Sequence, residues 1–90
     1  MVENRDFMPK KRSLEQISRN FGTRLRAARV MAGYNTAEDF ARDLGVQYAR
    51  YTKNERGESI PRADVLIHIC ELLDVTTDYL LRGIPDRKRH

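Results

Sequence analysis

Apolar residues recur along the chain at steps of three and four, and no stretch alternates in the manner of a half-buried strand. Leu14, Ile17, Phe21, Leu25 and Ala28 form the first stripe, and Ser13 followed three residues on by Gln16 gives it a capping-box start. A first helix is therefore predicted up to about Gly33, weakened locally by Gly22. Asn35 or Thr36 can cap a second helix whose inward face is Ala37, Phe40, Ala41 and Leu44, with Gly45 as its stop. A third runs from about Gln47 to Arg56 and ends on Gly57 as a left-handed residue. Pro61 is suited to the first turn of a fourth, which carries Ala63, Leu66, Ile69, Cys70 and Leu73 inward. Val65, Ile67 and Leu72 widen its apolar surface, so it is expected to be the most buried helix. Thr76 caps a short fifth helix holding Tyr79, Leu80 and Leu81, closed by Gly83 and Pro85. Five helices with short connections predict an all-α bundle.

Ninety residues make one domain, near the lower end of what a single core supports. No repeat or linker divides it, and the organisation expected is a basic tail over 1–12, a helical domain over 13–83 and a second basic tail over 84–90. The single cysteine, Cys70, cannot form an internal disulfide, and no His/Cys cluster has metal-ligand spacing, so no metal and no cofactor is expected. No apolar run is long enough to span a bilayer, and MVENRDFMPKKR lacks the apolar core of a secretory signal. The expectation is a soluble cytoplasmic protein without a membrane partner. A net charge of +4 and a pI near 9.6 favour a polyanionic partner, but only the placement of that charge is informative.

The third helix carries the informative part. At 100° per residue, with Tyr51 pointing inward, Asn54 and Glu55 fall on the same side while Ala49, Thr52, Lys53 and Arg56 face away and Tyr48 and Arg50 flank them. Such an arc, small and basic, suits a helix laid in a major groove. There Lys53 can donate to guanine O6 and N7, Thr52 can bond either kind of base edge, and the Ala49 methyl can meet a thymine methyl. An ordinary amphipathic helix with solvated charges has nearly the same pattern.

Beyond this helix, the segment from Gly33 to Leu81 resembles the Cro and phage-repressor type of helix-turn-helix domain, the XRE family. The resemblance is carried by Ala41, Gly45 and Val46, by Glu55-Arg56-Gly57, by Pro61, and by Leu73-Asp74-Val75-Thr76-Thr77-Asp78-Tyr79-Leu80-Leu81. It implies a five-helix, lambda-repressor-like DNA-binding bundle of prokaryotic or phage type. It also implies base contacts at Tyr48, Ala49, Thr52 and Lys53, phosphate contacts at Thr36, Ala37, Arg50, Arg56 and Arg62, and a structural ion pair between Arg29 and Glu55. Pairing near the C-terminal helix would use Leu80, Leu81, Ile84 and Pro85, with Ile67 as a further candidate. Tyr51 and Asn54 stand at inward sites that the family usually fills with apolar residues, Gln47 replaces a better cap, and Glu58 adds an acid near the expected phosphate path. Tyr51 is expected to keep its ring in the core and its hydroxyl at the edge.

An enzymatic reading finds no support. Asp64 and His68 are an i, i+4 pair without a third group, Cys70 reads as an inert core thiol, and no phosphate-binding glycine loop occurs. The function expected is therefore sequence-specific binding of double-stranded DNA by a transcriptional regulator, a repressor occupying a palindromic operator as a homodimer. Two alternatives are an antitoxin or adaptor whose main partner is another protein, and an RNA-binding or nucleoid-type protein without sequence preference.

Overall fold

The computed structural model describes residues 13–85; the expected tail 1–12 and residues 86–90 of the C-terminal tail lie outside the described residues. Among the described residues the elements are α1 (Leu14–Met31), α2 (Ala37–Leu44), α3 (Tyr48–Glu55), α4 (Ala63–Leu73) and α5 (Thr77–Arg82), with no strand.

Local chemistry sets most of the boundaries. The hydroxyls of Ser13, Thr36 and Thr76 accept from the N–H groups of Gln16, Asp39 and Tyr79 at 3.0, 3.1 and 3.0 Å, so each satisfies one of the donors a helix start leaves open. Gly45 closes α2 at φ 81°, in the left-handed region that a side chain resists. Asp74 closes α4 in the same region at φ 58°, which its short polar side chain tolerates. Pro61 lies just before the fourth helix rather than in its first turn: Arg62 is the N-cap and α4 begins at Ala63.

Phe21, Leu25, Phe40, Tyr51, Ile69 and Leu80 are fully enclosed and form the centre of the core, with contributions from every helix. α1 is the spine, packing against both α3 and α5, while α2 packs on α3 and α4. Tyr34, Phe40 and Tyr51 form an edge-to-face series with ring centroids 4.8 and 5.4 Å apart, which joins the α1–α2 turn to α2 and α3. Arg24 of α1 donates to the Leu80 carbonyl at 3.0 Å and so fastens α5 to the spine.

Several inward assignments are corrected. Leu14 is 83% exposed in the first turn of α1, before the buried stripe of Phe21, Leu25 and Ala28 begins. Ala63 is exposed in the first turn of α4, before the inward stripe of Leu66, Ile69 and Leu73 begins. Ile67 is 54% exposed, so α4 is buried on one face only; α2, with Phe40, Ala41 and Leu44 buried among its eight residues, has the larger buried share. Leu80 is fully buried among core side chains and offers nothing to a second subunit, whereas Ile84 remains 39% exposed.

The largest correction concerns Gly22. It is buried in α1, and a Cβ there would lie 2.4 Å from the Glu55 carbonyl oxygen and 2.8 Å from that of Asn54. Gly22 is thus the place where α3's backbone rests on α1, not merely a weak point of its own helix.

Candidate nucleic-acid interface

α2 and α3 form a helix-turn-helix. Ala41 is almost fully buried at the crossing, and its methyl lets the two helices approach closely. The turn is locked by the N–H groups of Gly45 and Val46, which donate to the Ala41 carbonyl at 2.9 and 3.1 Å. Gln47 caps α3 without a side-chain hydrogen bond, leaving the first donors of that helix open.

The inward side of α3 is anchored by three side chains. Tyr51 is fully buried and Asn54 is 6% exposed. The Glu55 side chain is 11% exposed and faces the 6% exposed side chain of Arg29, whose Nε and Nη2 donate to its two carboxylate oxygens at 2.6 and 3.4 Å. The same guanidinium donates to the Tyr34 carbonyl at 2.7 Å, and the Tyr51 hydroxyl donates to the Glu55 carboxylate. One network therefore binds α3 to α1 and to the chain entering α2. The Tyr51 hydroxyl, expected at the edge of the domain, is inside it.

These contacts shape the titration of the network. Burial opposes the charge on Arg29, but the hydrogen bond and charge of Glu55, with a smaller contribution from Tyr51, outweigh it and hold the guanidinium above the ordinary arginine value. Burial and then the hydrogen bond to Glu55 push the Tyr51 phenol far above the usual tyrosine range, so it stays a donor at any physiological pH.

The end of α3 is equally well fixed. The N–H groups of Gly57 and Glu58 donate to the carbonyls of Asn54 and Lys53 at 3.2 and 2.9 Å, a Schellman ending with Gly57 at φ 79°. A Cβ on Gly57 would meet Arg19 Cα at 2.6 Å, so the turn also lies directly on α1. Asn54 donates through its Nδ2 to the Ser59 carbonyl and hydroxyl at 2.9 and 3.2 Å, which holds the loop running towards Pro61.

What remains outward is the arc read from the sequence. Tyr48 is 55% exposed, and Ala49, Arg50 and Lys53 are exposed too. Thr52 is half-buried and its hydroxyl donates back to the Ala49 carbonyl at 3.0 Å, leaving oxygen lone pairs for an outside donor. Arg50 and Arg62 border a groove of about 230 Å³ whose wall includes Asn54, Ser59, Ile60 and Pro61.

The charged groups are not all free. Arg56 is held by Glu58 at 2.8 Å and Arg62 by Asp64 at 2.7 Å. Asp64 thus takes Arg62 as its partner in place of His68. At the start of α2, Thr36 is exposed and Ala37 half-buried, and the carboxylates of Glu38 and Asp39 in the same turn oppose a phosphate there.

The support of α3 is less legible in the sequence than its outward face. Gly22, the Tyr51 to Glu55 bond, the Tyr34 carbonyl on Arg29 and the Arg24 clasp on α5 carry no periodic signal. The i, i+4 spacing of Tyr51 and Glu55 is the one hint the chain offers. Among the described residues no group of three or more His, Cys, Asp or Glu could hold a metal ion, and no helix is long and apolar enough to cross a membrane. Cys70 is half-buried, and burial, with Glu71 nearby, raises its thiol pKa.

Residues 22–84 match a family described as helix-turn-helix domain. Three curated proteins of Bacillus subtilis (strain 168) are similar to this chain. The "uncharacterized HTH-type transcriptional regulator YqaE" is 40% identical over 53 residues, which cover 59% of this chain and 46% of that protein. The "uncharacterized HTH-type transcriptional regulator YazB" is 35% identical over 60 residues, covering 67% and 86%. The "SPbeta prophage-derived uncharacterized HTH-type transcriptional regulator YonR" is 36% identical over 63 residues, covering 70% and 57%. The chain therefore spans about half the length of the first and third relatives and most of the second. No solved structure matches it significantly.

Proposed function

The chain belongs to the helix-turn-helix domain family, and from that premise we propose that it is a sequence-specific, double-stranded DNA-binding transcriptional regulator that represses by occupying a palindromic operator as a homodimer. The observation that carries this reading is the asymmetry of α3. One side is immobilised by Tyr51, Asn54 and the Arg29–Glu55 pair, while the other presents Tyr48, Ala49, Arg50 and Lys53 to solvent. A helix held this rigidly, with small and basic residues outward, is suited to entering a major groove at a fixed depth. Arg50 on the helix, with Arg56 and Arg62 beside it, supplies the charge that phosphates require. The names of the relatives, all HTH-type transcriptional regulators, agree with this role.

Selection of bound duplexes from a random pool tests the proposal, with a palindromic consensus as the expected result and sequence-blind retention as the result against it. Within that consensus, Lys53→Ala should relax one base pair of each half-site and cost roughly 1 to 3 kcal/mol for each base interaction it removes. Arg62→Ala should weaken all duplexes alike and flatten the dependence of affinity on salt. A consensus unchanged at every position by Lys53→Ala would remove that residue from the reading arc.

A homodimer follows from information content, since one short helix touches too few base pairs to select a site in a genome and two related by a two-fold axis read half-sites about 34 Å apart. Ile84, exposed at the end of α5, is the apolar residue we assign to the subunit contact, together with Pro85 and the half-buried Leu81. Ile84→Asp should preserve the helical circular-dichroism signal while severely weakening operator binding. Sedimentation of free and DNA-bound protein checks it; one protomer on an unrepeated site, with full affinity in the variant, contradicts the dimer.

The second reading, a protein partner, is favoured by one observation. Val30 and Met31 are 50% and 86% exposed at the end of α1. Met31 also borders an apolar groove of about 510 Å³ formed with Leu72, Val75 and Tyr79. Loss of a co-purifying protein from Met31→Asp, with the selected DNA consensus unchanged, would support that reading as an addition to DNA binding.

A further inference from the structure

Two arginines beside the recognition helix are each paired with a carboxylate two residues further on. Arg56 Nε lies 2.8 Å from Glu58 Oε2, and Arg62 donates through Nη2 and Nε to the two oxygens of Asp64 at 2.7 and 3.2 Å. All four side chains are half or more exposed, so such pairs contribute little to folding. Both acids stand at fixed backbone positions, and the Asp64 carboxylate has a second hydrogen bond. The Glu58 backbone is fixed by its N–H bond to the Lys53 carbonyl, and Asp64 Oδ1 accepts from the Val65 N–H at 2.8 Å in the first turn of α4. The hydrogen bonds from Arg56 and Arg62 lower the pKa of the two carboxylates, which favours their charged forms.

We propose that Glu58 and Asp64 are internal competitors for the DNA backbone: each occupies an arginine that would otherwise bind phosphate, and together they hold down the affinity for duplex of any sequence. The inference rests on the DNA-binding role proposed for α3. A phosphate approaching Arg56 or Arg62 either displaces the carboxylate or uses the N–H donors it leaves open, and in both cases lies close to it. The arginine's gain is reduced by the broken pair and by like-charge repulsion. Lys53, the charged member of the base-facing set, forms no ion pair among the described residues, and the charge of Glu58 acts on it less than on Arg56. Affinity that consists only of phosphate contacts therefore feels the competitors most directly, because such contacts supply nearly all sequence-independent binding.

The test uses the full chain and a duplex lacking any selected consensus, with affinity measured across a salt series. Glu58→Gln and Asp64→Asn should each bind more tightly than the parent and steepen the slope of log K against log salt by about one phosphate contact, so that each variant's advantage shrinks about threefold for a fourfold rise in salt. The selected consensus should not change. Glu71→Gln, an exposed position on α4, controls for the change in net charge and should leave the slope at the parental value. Arg56→Gln combined with Glu58→Gln should remove most of the gain of Glu58→Gln alone, because the carboxylate acts mainly through its arginine and only weakly on Lys53. Parental slopes in both single variants overturn the competitor proposal while leaving DNA binding intact. A slope raised equally by Glu71→Gln overturns it in favour of net charge. A parent chain without salt-dependent duplex binding overturns both the competitors and the DNA-binding role.

Discussion

Gly22→Ala is expected to destabilise the domain by about 3 kcal/mol, against a gain of up to about 1 kcal/mol that helix propensity alone would give at the same position. The sign is decided by the neighbouring helix. An alanine methyl would lie 2.4 Å from the Glu55 carbonyl oxygen and 2.9 Å from its carbon, and neither is the free end of a flexible side chain. Relief requires α3 to move away from α1. That movement would pull on the Arg29–Glu55 pair and on Asn54, whose side chain is buried in the same region. For a domain of this size the loss corresponds to a fall of roughly 12 to 24 °C in Tm. Thermal unfolding followed by circular dichroism checks it, and a midpoint at or above the parental one would mean that α3 does not rest on Gly22. Because α3 carries the proposed base contacts, the variant should also lose operator affinity at temperatures where it is still folded.

Removing one side of the Arg29–Glu55 pair is expected to cost as much or more. Arg29→Met and Glu55→Gln should each destabilise by roughly 3 to 5 kcal/mol, since either change leaves its partner enclosed without a counter-charge. The two are not equivalent in detail. Arg29→Met also strips the Tyr34 carbonyl of its donor, whereas Glu55→Gln leaves both the guanidinium and the Tyr51 hydroxyl facing a weaker acceptor. Arg29→Met combined with Glu55→Met should be less damaging than the sum of the single changes, because no isolated charge remains buried. Equilibrium unfolding of the single and double variants measures this coupling. Parental midpoints in both single variants would show that the pair is dispensable.

The helices are legible in the chain because their signals are local. Ser13, Thr36 and Thr76 cap within three residues, Gly45 and Gly57 end helices by their own backbone freedom, and Phe21, Phe40 and Ile69 fall on stripes that any amphipathic helix displays. The outward arc of α3 follows from the same arithmetic once Tyr51 is turned inward. Periodicity misplaces Leu14, Ala63 and Ile67 for a common reason: it identifies the apolar stripe, but how far along the stripe the neighbouring elements reach depends on where they end. Leu80 illustrates the reverse. Its position near the end of the fold suggests a subunit contact, and only the packing of α5 against α1 encloses it.

The order of helices, the caps at Ser13, Thr36 and Thr76 and the basic, small-residue face of α3 were determined by the sequence itself, because each depends on residues within a turn or two of one another. Tertiary structure decided which of those features bear on each other. Gly22 became a seat for α3 only when the Glu55 backbone was brought against it, and Arg29, Tyr34, Tyr51 and Glu55 became one network only when α1, the turn and α3 converged. Contacts between groups more than twenty residues apart leave no period in a chain. Their energy comes from exclusion of water and close fit, which exist only after the helices have packed.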